Sequence, residues 1–89
     1  MNELHRSRDR NTVRAWLIKY ITEAVDLPAT PFPTGETFDA YGFDSTETVI
    51  MAGVMEEEFG IELEPALFFE NPSVDGLVES LAKAGLLTE

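Results

Sequence analysis

Hydrophobic residues recur at intervals of three and four positions in several stretches of the chain, a spacing typical of helices with one buried face. The first stretch predicts a helix over residues 12–25, with Asn11 or Thr12 as its N-cap. The helix should end before Leu27, because the proline after Leu27 disfavours helical backbone in the preceding residue. The residues expected on its buried face are Val13, Leu17, Tyr20, Ile21 and Ala24, with Trp16 and Ile18 beside that face.

The second stretch predicts a helix that begins at Asp44 or Ser45 and ends before Gly60, a residue type common just after helices. If Asp44 is the N-cap, Glu47 lies three residues later and completes a capping box. Gly53 is unfavourable, since glycine costs about 1 kcal/mol relative to alanine in a helix interior. The buried stripe is expected to contain Met51, Met55 and Phe59, with Ala52 and Val54 beside it.

Two further helices are predicted near the C-terminus. A short one covers about residues 65–69, with Pro65 at a first helical position and Leu67 and either Phe68 or Phe69 packed inward. Ser73 caps the last helix. Its buried face is expected to contain Val74, Leu77, Val78, Leu81 and Ala82. No alternating run is long enough for a strand, so the predicted fold class is all-α.

A long loop over residues 26–44 separates the first two helices. Loops of this length in small domains are usually functional or held in place by their own side chains. The expected anchors are its aromatic residues, and Phe38 is the one most expected in the core. The others are Phe32, Tyr41 and Phe43.

Charge is distributed unevenly along the 89 residues, whose formal net charge is −11. Five of the six lysines and arginines lie in the first nineteen residues, whereas residues 20–89 contain fifteen acidic residues and one lysine. Such a surface repels nucleic acid and anionic membranes and attracts protein partners with basic patches. The alternative is that the acidic residues only keep a small domain soluble. We find no secretory signal pattern and no run long enough for membrane insertion, and we expect a cytoplasmic monomer.

Ser45 lies at the predicted loop-to-helix junction, in the run Gly42-Phe43-Asp44-Ser45. The chain has no cysteine, and its one histidine, His5, is near the N-terminus, so no obvious base is available to activate this serine. A nucleophile elbow would need glycine two residues after the serine, where Glu47 stands. We therefore interpret Ser45 as a residue that another enzyme modifies, and we assign no catalytic residue.

The acidic segments do not favour a metal site. In a calcium loop starting at Asp39, the third, fifth and twelfth positions would be Tyr41, Phe43 and Ile50, which lack the required oxygen ligands. The three glutamates at residues 56–58 point in different directions around a helix, which suits a solvated or partner-binding face better than a metal site. No metal ligand is predicted.

The segment from Phe38 to Ala82 resembles the acyl carrier protein family, which includes the peptidyl carrier domains of nonribosomal synthesis. Gly42-Phe43-Asp44-Ser45 looks like the family's Gly-x-Asp-Ser. The other matching positions are Phe38, Val49, Glu56-Glu57-Glu58-Phe59-Gly60-Ile61-Glu62-Leu63, Phe68 or Phe69, and Asn71-Pro72-Ser73-Val74.

The resemblance implies a four-helix bundle with three major helices and a short third helix, in a carrier domain of residues 11–86. A tail at 87–89 follows it, and a basic segment at 1–10 precedes it, either disordered or with its arginines folded back on the acidic body. The resemblance also implies that a phosphopantetheinyl transferase attaches 4′-phosphopantetheine from coenzyme A to Ser45, beside Asp44 and Gly42. The thiol of that arm would hold acyl groups for acyl-loading, synthase or transferase enzymes with basic docking patches, and the chain itself would not be an enzyme.

Three positions on the second helix depart from the family pattern. Thr46 stands where leucine usually follows the modified serine. Ile50 stands where fatty-acid carriers usually have an acidic residue, and Gly53 stands where they usually have a larger apolar residue. We expect a partner-binding patch containing Thr46, Glu47, Val49, Ile50, Gly53 and Glu57. The pattern favours a specialised polyketide, nonribosomal or lipid pathway over housekeeping fatty acid biosynthesis.

Other interpretations stay open at this point. The chain could be an acidic helical adaptor without a prosthetic group, in which Ser45 acts only as a helix N-cap. A calcium or metal sensor is a third, weaker class. Residues 51–55, with their two methionines and small side chains, could line an interior pocket for the cargo or simply pack the core.

Overall fold

The computed structural model describes residues 8–26 and 32–88, which form a bundle of four helices. The helices are α1 (Arg10–Val25), α2 (Ser45–Phe59), α3 (Pro65–Glu70) and α4 (Val74–Lys83). Within those two ranges no residue belongs to an extended strand, and the one β-type pairing is a single antiparallel bridge between Thr37 and Ser73. The predicted all-α class with a short third helix is confirmed. None of the helices in the described ranges is both long and apolar enough to cross a membrane.

A single hydrophobic core joins the four helices and the long loop. Met51, Met55 and Phe59 form the predicted stripe of α2, and all three are buried. Phe38 and Phe43 enter the core from the loop with only 3% and 1% of their surfaces exposed, which confirms the prediction for Phe38. The remaining buried hydrophobic residues are Val13, Trp16, Leu17, Ile21, Ala52, Leu63, Phe68, Val74, Leu77, Val78 and Leu81.

Helix α1 begins two residues earlier than predicted, because its N-cap is Asp9 and not Asn11 or Thr12. The Asp9 carboxylate accepts a hydrogen bond from the backbone N–H of Thr12 at 3.1 Å and another from the Thr12 hydroxyl at 2.7 Å. Thr12 thus donates to the cap instead of providing it. The two added residues bring Arg10 into the helix.

Two residues of α1 differ in burial from the prediction. Trp16, expected beside the buried face, lies in the core, where its ring stacks on Tyr20 at 5.2 Å and meets Phe59 edge-on at 5.6 Å. Ala24, expected in the core, is exposed. A large indole ring reaches the core from the edge of a helix face, whereas the methyl group of alanine near the helix end does not.

Ion pairs join α1 to α4. The guanidinium of Arg14 lies 2.6 Å from the carboxylate of Asp75, and that of Arg10 lies 3.0 Å from the carboxylate of Glu79. Arg10 therefore folds back on the acidic body, one of the two arrangements considered for the basic segment. Residues 1–7 of that segment lie outside the described residues, and the proposed domain boundaries stay a prediction.

The second half of the long loop is fastened to the α3–α4 connection. The backbone N–H of Phe38 donates to the carbonyl of Pro72 at 2.7 Å. The N–H of Asp75 donates to the carbonyl of Thr34 at 3.0 Å, and the Thr34 hydroxyl donates to the Asp75 carboxylate at 3.1 Å. These contacts fasten residues 34–38 to the connection before α4 and to its first turn, and thereby help to position the start of α2.

Helix ends follow the predicted chemistry. The hydroxyl of Ser73 accepts a hydrogen bond from the N–H of Gly76 at 3.0 Å, which confirms Ser73 as the N-cap of α4. Gly60 has a φ of 67° just after α2, a conformation that glycine adopts without steric cost.

Candidate functional site

The backbone before α2 makes a tight turn that delivers Ser45 to the surface. A 3-10 turn over Phe38–Tyr41 ends at Gly42, whose φ of 87° suits glycine. The N–H of Phe43 then donates to the carbonyl of Phe38 at 3.0 Å, and the Phe43 ring is buried. Phe43 thus anchors the turn in the core, while the next two residues remain exposed. Gly42, expected beside the prosthetic group, contributes this backbone conformation.

Asp44 is the N-cap of α2. Its carboxylate accepts a hydrogen bond from the backbone N–H of Glu47 at 3.0 Å, the first half of the predicted capping box. Its carbonyl accepts from both the N–H and the hydroxyl of Thr48, at 3.0 and 2.9 Å. Ser45 is the first helical residue and is exposed. Ser45 is therefore not the N-cap that the adaptor interpretation assumed, because Asp44 has that function.

The start of α2 favours a negatively charged group. The first N–H groups of a helix have no acceptor within the helix, and the helix dipole places partial positive charge there. Asp44 satisfies one of these groups, the N–H of Glu47. Ser45 and Thr46 occupy the first turn and are both exposed. A phosphate ester on the Ser45 hydroxyl would lie next to this end of the helix.

An open apolar groove runs from Ser45 along α2 toward α3. It is lined by Ser45, Thr46, Val49, Ile50 and Phe69. Val49, Ile50 and Phe69 expose 48%, 52% and 49% of their surfaces, whereas large hydrophobic residues elsewhere in the described part of the chain are mostly covered. Exposed apolar side chains grouped in this way are characteristic of interaction sites.

The predicted partner patch lies mainly on one exposed side of α2. Thr46, Val49 and Ile50 line the groove, and Gly53 and Glu57 follow at helical spacing and are also exposed. Glu47 is half-buried and lies near the Tyr20 hydroxyl. Burial raises the pKa of Tyr20, and the negative charge of Glu47 raises it further.

Phe69 is the groove residue that the sequence did not identify as part of the surface. Either Phe68 or Phe69 was expected to face the core, and the structure buries Phe68 and exposes Phe69. The only sequence signal is that two adjacent residues of a helix cannot both face the same side.

A smaller hollow of about 120 Å³ lies on the other side of Ser45. It is lined by Phe38, Asp39, Phe43, Asp44, Ser45, Thr48, Phe68, Phe69 and Pro72. An interior pocket around the methionines was the sequence-based alternative, but Met51 and Met55 are fully buried and do not line this hollow. Ser45 and Phe69 are the two residues that line both the groove and the hollow.

The three consecutive glutamates of α2 have different environments. The Glu56 carboxylate accepts a hydrogen bond from the backbone N–H of Leu63 at 2.7 Å and so holds the α2–α3 loop against α2. Glu57 is exposed, and Glu58 is half-buried. Among the described residues, no group of three or more histidine, cysteine, aspartate or glutamate side chains is placed to hold a metal ion.

Tyr41 contributes a buried polar atom close to the site. Its hydroxyl has no hydrogen-bond partner among the described residues, and its ring meets those of Phe32 and Phe38 edge-on at 5.4 and 6.5 Å. Burial raises the pKa of Tyr41 to about 12. The loop before Ser45 is therefore held by aromatic packing at the expense of one unsatisfied hydroxyl.

Comparison with known proteins gives consistent results. A family model described as "Phosphopantetheine attachment site" matches residues 15–81. The polyketide synthase PksM of Bacillus subtilis is 32% identical over 76 residues, and the orsellinic acid synthase of Emericella nidulans is 32% identical over 65 residues. These alignments cover 85% and 73% of this chain but only 2% and 3% of the two relatives, so the chain spans a small fraction of their length.

Two solved structures share the fold. An acyl carrier protein from Anabaena sp. PCC 7120, described as having a variant phosphopantetheinylation-site sequence, gives a TM-score of 0.79 at 25% identity and covers 94% of this chain and 96% of its own. A free-standing peptidyl carrier protein from an uncharacterized secondary metabolic pathway of Acinetobacter baumannii gives a TM-score of 0.75 at 23% identity, with coverages of 88% and 98%.

The family model covers most of the chain, and the helices and the exposed serine agree with it. Members of this family carry a covalently bound 4′-phosphopantetheine and are modified and used by other enzymes. The chain belongs to the phosphopantetheine attachment site family and is a non-catalytic acyl or peptidyl carrier protein.

Proposed function

We propose that 4′-phosphopantetheine is attached to the hydroxyl oxygen of Ser45 and that the chain presents acyl intermediates to the enzymes of a polyketide-type pathway. The observation that carries the proposal is the division of functions between two neighbours. Asp44 caps α2, which leaves the exposed Ser45 hydroxyl without a capping function. The name of the Bacillus subtilis relative, a polyketide synthase, supports the polyketide assignment over a nonribosomal or lipid pathway.

The residues around Ser45 fit the prosthetic group. The positive end of a fifteen-residue helix suits a phosphodiester, and the exposed position of Ser45 leaves room for a flexible arm beside it. When bound, the arm supplies the thiol that holds acyl groups as thioesters. The chain has no cysteine, so it offers no competing thiol.

In the attachment reaction, the Ser45 oxygen forms a bond to the phosphorus that bears the pantetheine part of coenzyme A. The bond from that phosphorus to the oxygen of the adenosine bisphosphate breaks, and the serine proton passes to a base. The described residues include no histidine, and the neighbouring Asp44 carboxylate is occupied by the helix cap. The transferase therefore provides the base, and this chain provides an accessible, correctly directed hydroxyl.

The partner surface is proposed to combine apolar contact with negative charge. Val49 and Ile50 would be covered by apolar side chains of a transferase or synthase enzyme, and Glu57 would meet a basic residue on that partner. The net charge of −11 supports basic docking patches on those enzymes. The cytoplasmic location and the monomeric state stay predictions.

The attachment site is tested by intact-mass spectrometry after incubation with coenzyme A and several broad-specificity transferases, chosen because Thr46 departs from the usual leucine. We expect the mass of one phosphopantetheine to be added, and fragmentation to locate it on Ser45. Ser45→Ala should abolish the addition, whereas Ser80→Ala, which removes a hydroxyl on α4, should not. A native chain that stays unmodified with every transferase, or a modified Ser45→Ala variant, would refute the proposal.

The pathway is tested by mass spectrometry of the protein purified together with its native pathway enzymes. An extended or partly reduced ketide on the arm supports a polyketide route. An aminoacyl group on the arm would instead assign the protein to a nonribosomal route, and a long saturated chain would assign it to a lipid route.

A further inference from the structure

Ser45 stands on the boundary between two apolar depressions that differ in shape. The groove toward Val49 and Ile50 is open to solvent, whereas the hollow on the other side is small and is walled mainly by rings. Four phenylalanines line the hollow: Phe38, Phe43, Phe68 and Phe69. Phe69 separates the two depressions, and half of its surface is exposed.

The position of the hollow limits what can occupy it. Since Ser45 itself is part of its wall, a chain attached to the Ser45 oxygen has its first atoms at the rim. In 4′-phosphopantetheine the phosphate is followed by one methylene and then by a quaternary carbon with two methyl groups. This dimethyl group is the first apolar part of the arm, only a few bonds from the serine. The amides and the thiol come later.

The size of the hollow agrees with that group. A protein cavity of about 150 Å³ lined by apolar side chains accepts a molecule of the size of benzene. The hollow here has about 120 Å³ and is open on one side, which suits a carbon atom bearing two methyl groups. Asp39, which is exposed, is also part of its wall.

We propose that this hollow seats the dimethyl group of the phosphopantetheine arm and that Phe69 is the wall that retains it. The inference rests on the proposed attachment at Ser45. Seating the near end of the arm fixes the direction in which the remainder leaves the protein, toward the groove over Val49 and Ile50. The arm is then rooted at two points: the phosphate at the start of α2 and the dimethyl group against the phenylalanine rings.

The acyl cargo is the competing occupant. It is bound to the thiol at the far end of the arm, so the whole arm would have to fold back to bring it to a hollow next to the attachment point. Folding the whole flexible arm costs conformational entropy, whereas seating the dimethyl group restricts only the few bonds next to the serine. The structure therefore favours the near end of the arm.

Nuclear magnetic resonance of the modified protein, prepared with coenzyme A labelled in the pantetheine methyl groups, tests the proposal. Protons held against aromatic rings are shifted, so the two methyl signals, which already differ because of the neighbouring stereocentre, should each move away from their position in free pantetheine, and by different amounts. They should also show nuclear Overhauser contacts to Thr48 and to the rings of Phe68 and Phe69. Phe69→Ala should return the signals toward the free position, whereas Val54→Ala, a change at an α2 residue that lines neither the hollow nor the groove, should leave them displaced.

Phe69→Leu distinguishes the effect of the aromatic ring from that of an apolar side chain at this position. It should reduce the displacement of the methyl signals yet keep the nuclear Overhauser contacts to Thr48. The mass of each sample is measured first. If the arm is absent, that result refutes the proposed attachment at Ser45 and not the proposal that the hollow holds the dimethyl group. An attached arm with methyl signals at the free position overturns the inference. The inference is also overturned if the methyl groups contact the hollow only when an acyl group is present, or only when it is absent, because occupancy of the hollow would then depend on the cargo.

Discussion

The two sides of the bundle use similar amphipathic helices in different ways. Where α1 meets α4, charged residues are paired across the interface, with Arg14 on Asp75 and Arg10 on Glu79. Where α2 meets α3, large apolar residues are left half exposed beside Ser45. On the first side, the charged groups pair with one another within the chain. On the second side, the apolar side chains stay half exposed and available to another molecule. This difference is the structural basis of the proposed partner surface on α2 and α3.

The largest expected effect comes from two adjacent phenylalanines of α3. Phe68 is 1% exposed and Phe69 is 49% exposed. Phe68→Ala should lower the free energy of unfolding by about 3–5 kcal/mol through cavity formation. Phe69→Ala should lower it by only about 1 kcal/mol, because the ring is half in water already. Urea denaturation of both variants measures the difference. Equal losses would show that the exposed side of α3 is part of the core.

The next effect separates capping from attachment at the start of α2. Asp44→Ala removes the acceptor for the Glu47 N–H and should cost about 1 kcal/mol, within a range of about 0.5–2 kcal/mol. Asp44→Asn keeps an acceptor oxygen and should cost less. Ser45→Ala should leave the melting temperature nearly unchanged, since Ser45 is exposed and is not the cap. A larger loss for Ser45→Ala than for Asp44→Ala would contradict the assigned functions.

Tyr41 allows a test of hydrogen bonding in the loop that precedes Ser45. Tyr41→Phe removes a buried hydroxyl without a partner and should stabilise the protein by on the order of 1 kcal/mol at neutral pH. The folded-state pKa of Tyr41 is raised from 10.0 to about 12, so the unfolded chain ionises first as pH rises. Stability should therefore fall between pH 10 and about 12, and less steeply in Tyr41→Phe, with Tyr20 giving a remaining slope. Chemical denaturation at several pH values follows both effects, and an equal slope in the variant would exclude Tyr41 as the source.

The smallest effect is expected on the charged side of the bundle. Arg14 and Asp75 are both partly exposed, so Arg14→Gln should cost only about 0.2–1 kcal/mol. Because salt screens such pairs, the native chain and the variant should become nearly equal in about 1 M sodium chloride. Thermal melts at low and high salt provide the measurement. A loss that persists at high salt would mean that Arg14 contributes packing instead of charge.

The sequence predicted most of what depends on neighbouring residues. Three helices and their buried stripes follow from spacing, and the capping by Asp44 and Ser73 follows from residue type at the helix start. The start of α1 was missed because Asp9, Asn11 and Thr12 are all suitable caps within four positions. Local propensity does not choose among them.

What depends on distant residues could not be predicted. The hydrogen bonds between Thr34 and Asp75 join positions 41 residues apart, and no local pattern announces them. The orientation of Phe69 depends on how a six-residue helix is rotated by its packing, and a helix that short has no clear periodicity of its own. The hollow beside Ser45 is formed by the loop, α2, α3 and Pro72 together, so it exists only after these parts assemble.

Gly53 sets how near another molecule can come to α2. A Cβ atom built there would meet no atom of the described residues within 4 Å, so crowding in that part of the chain does not require glycine. The residue leaves a stretch of helix backbone uncovered on the exposed side of α2, one turn beyond Ile50. The spacing between two packed helices depends on the side chains at their crossing point. A helix crossing at Gly53 could therefore rest directly on the main chain, and a bulkier residue would act as a spacer that moves it outward while this fold stays the same.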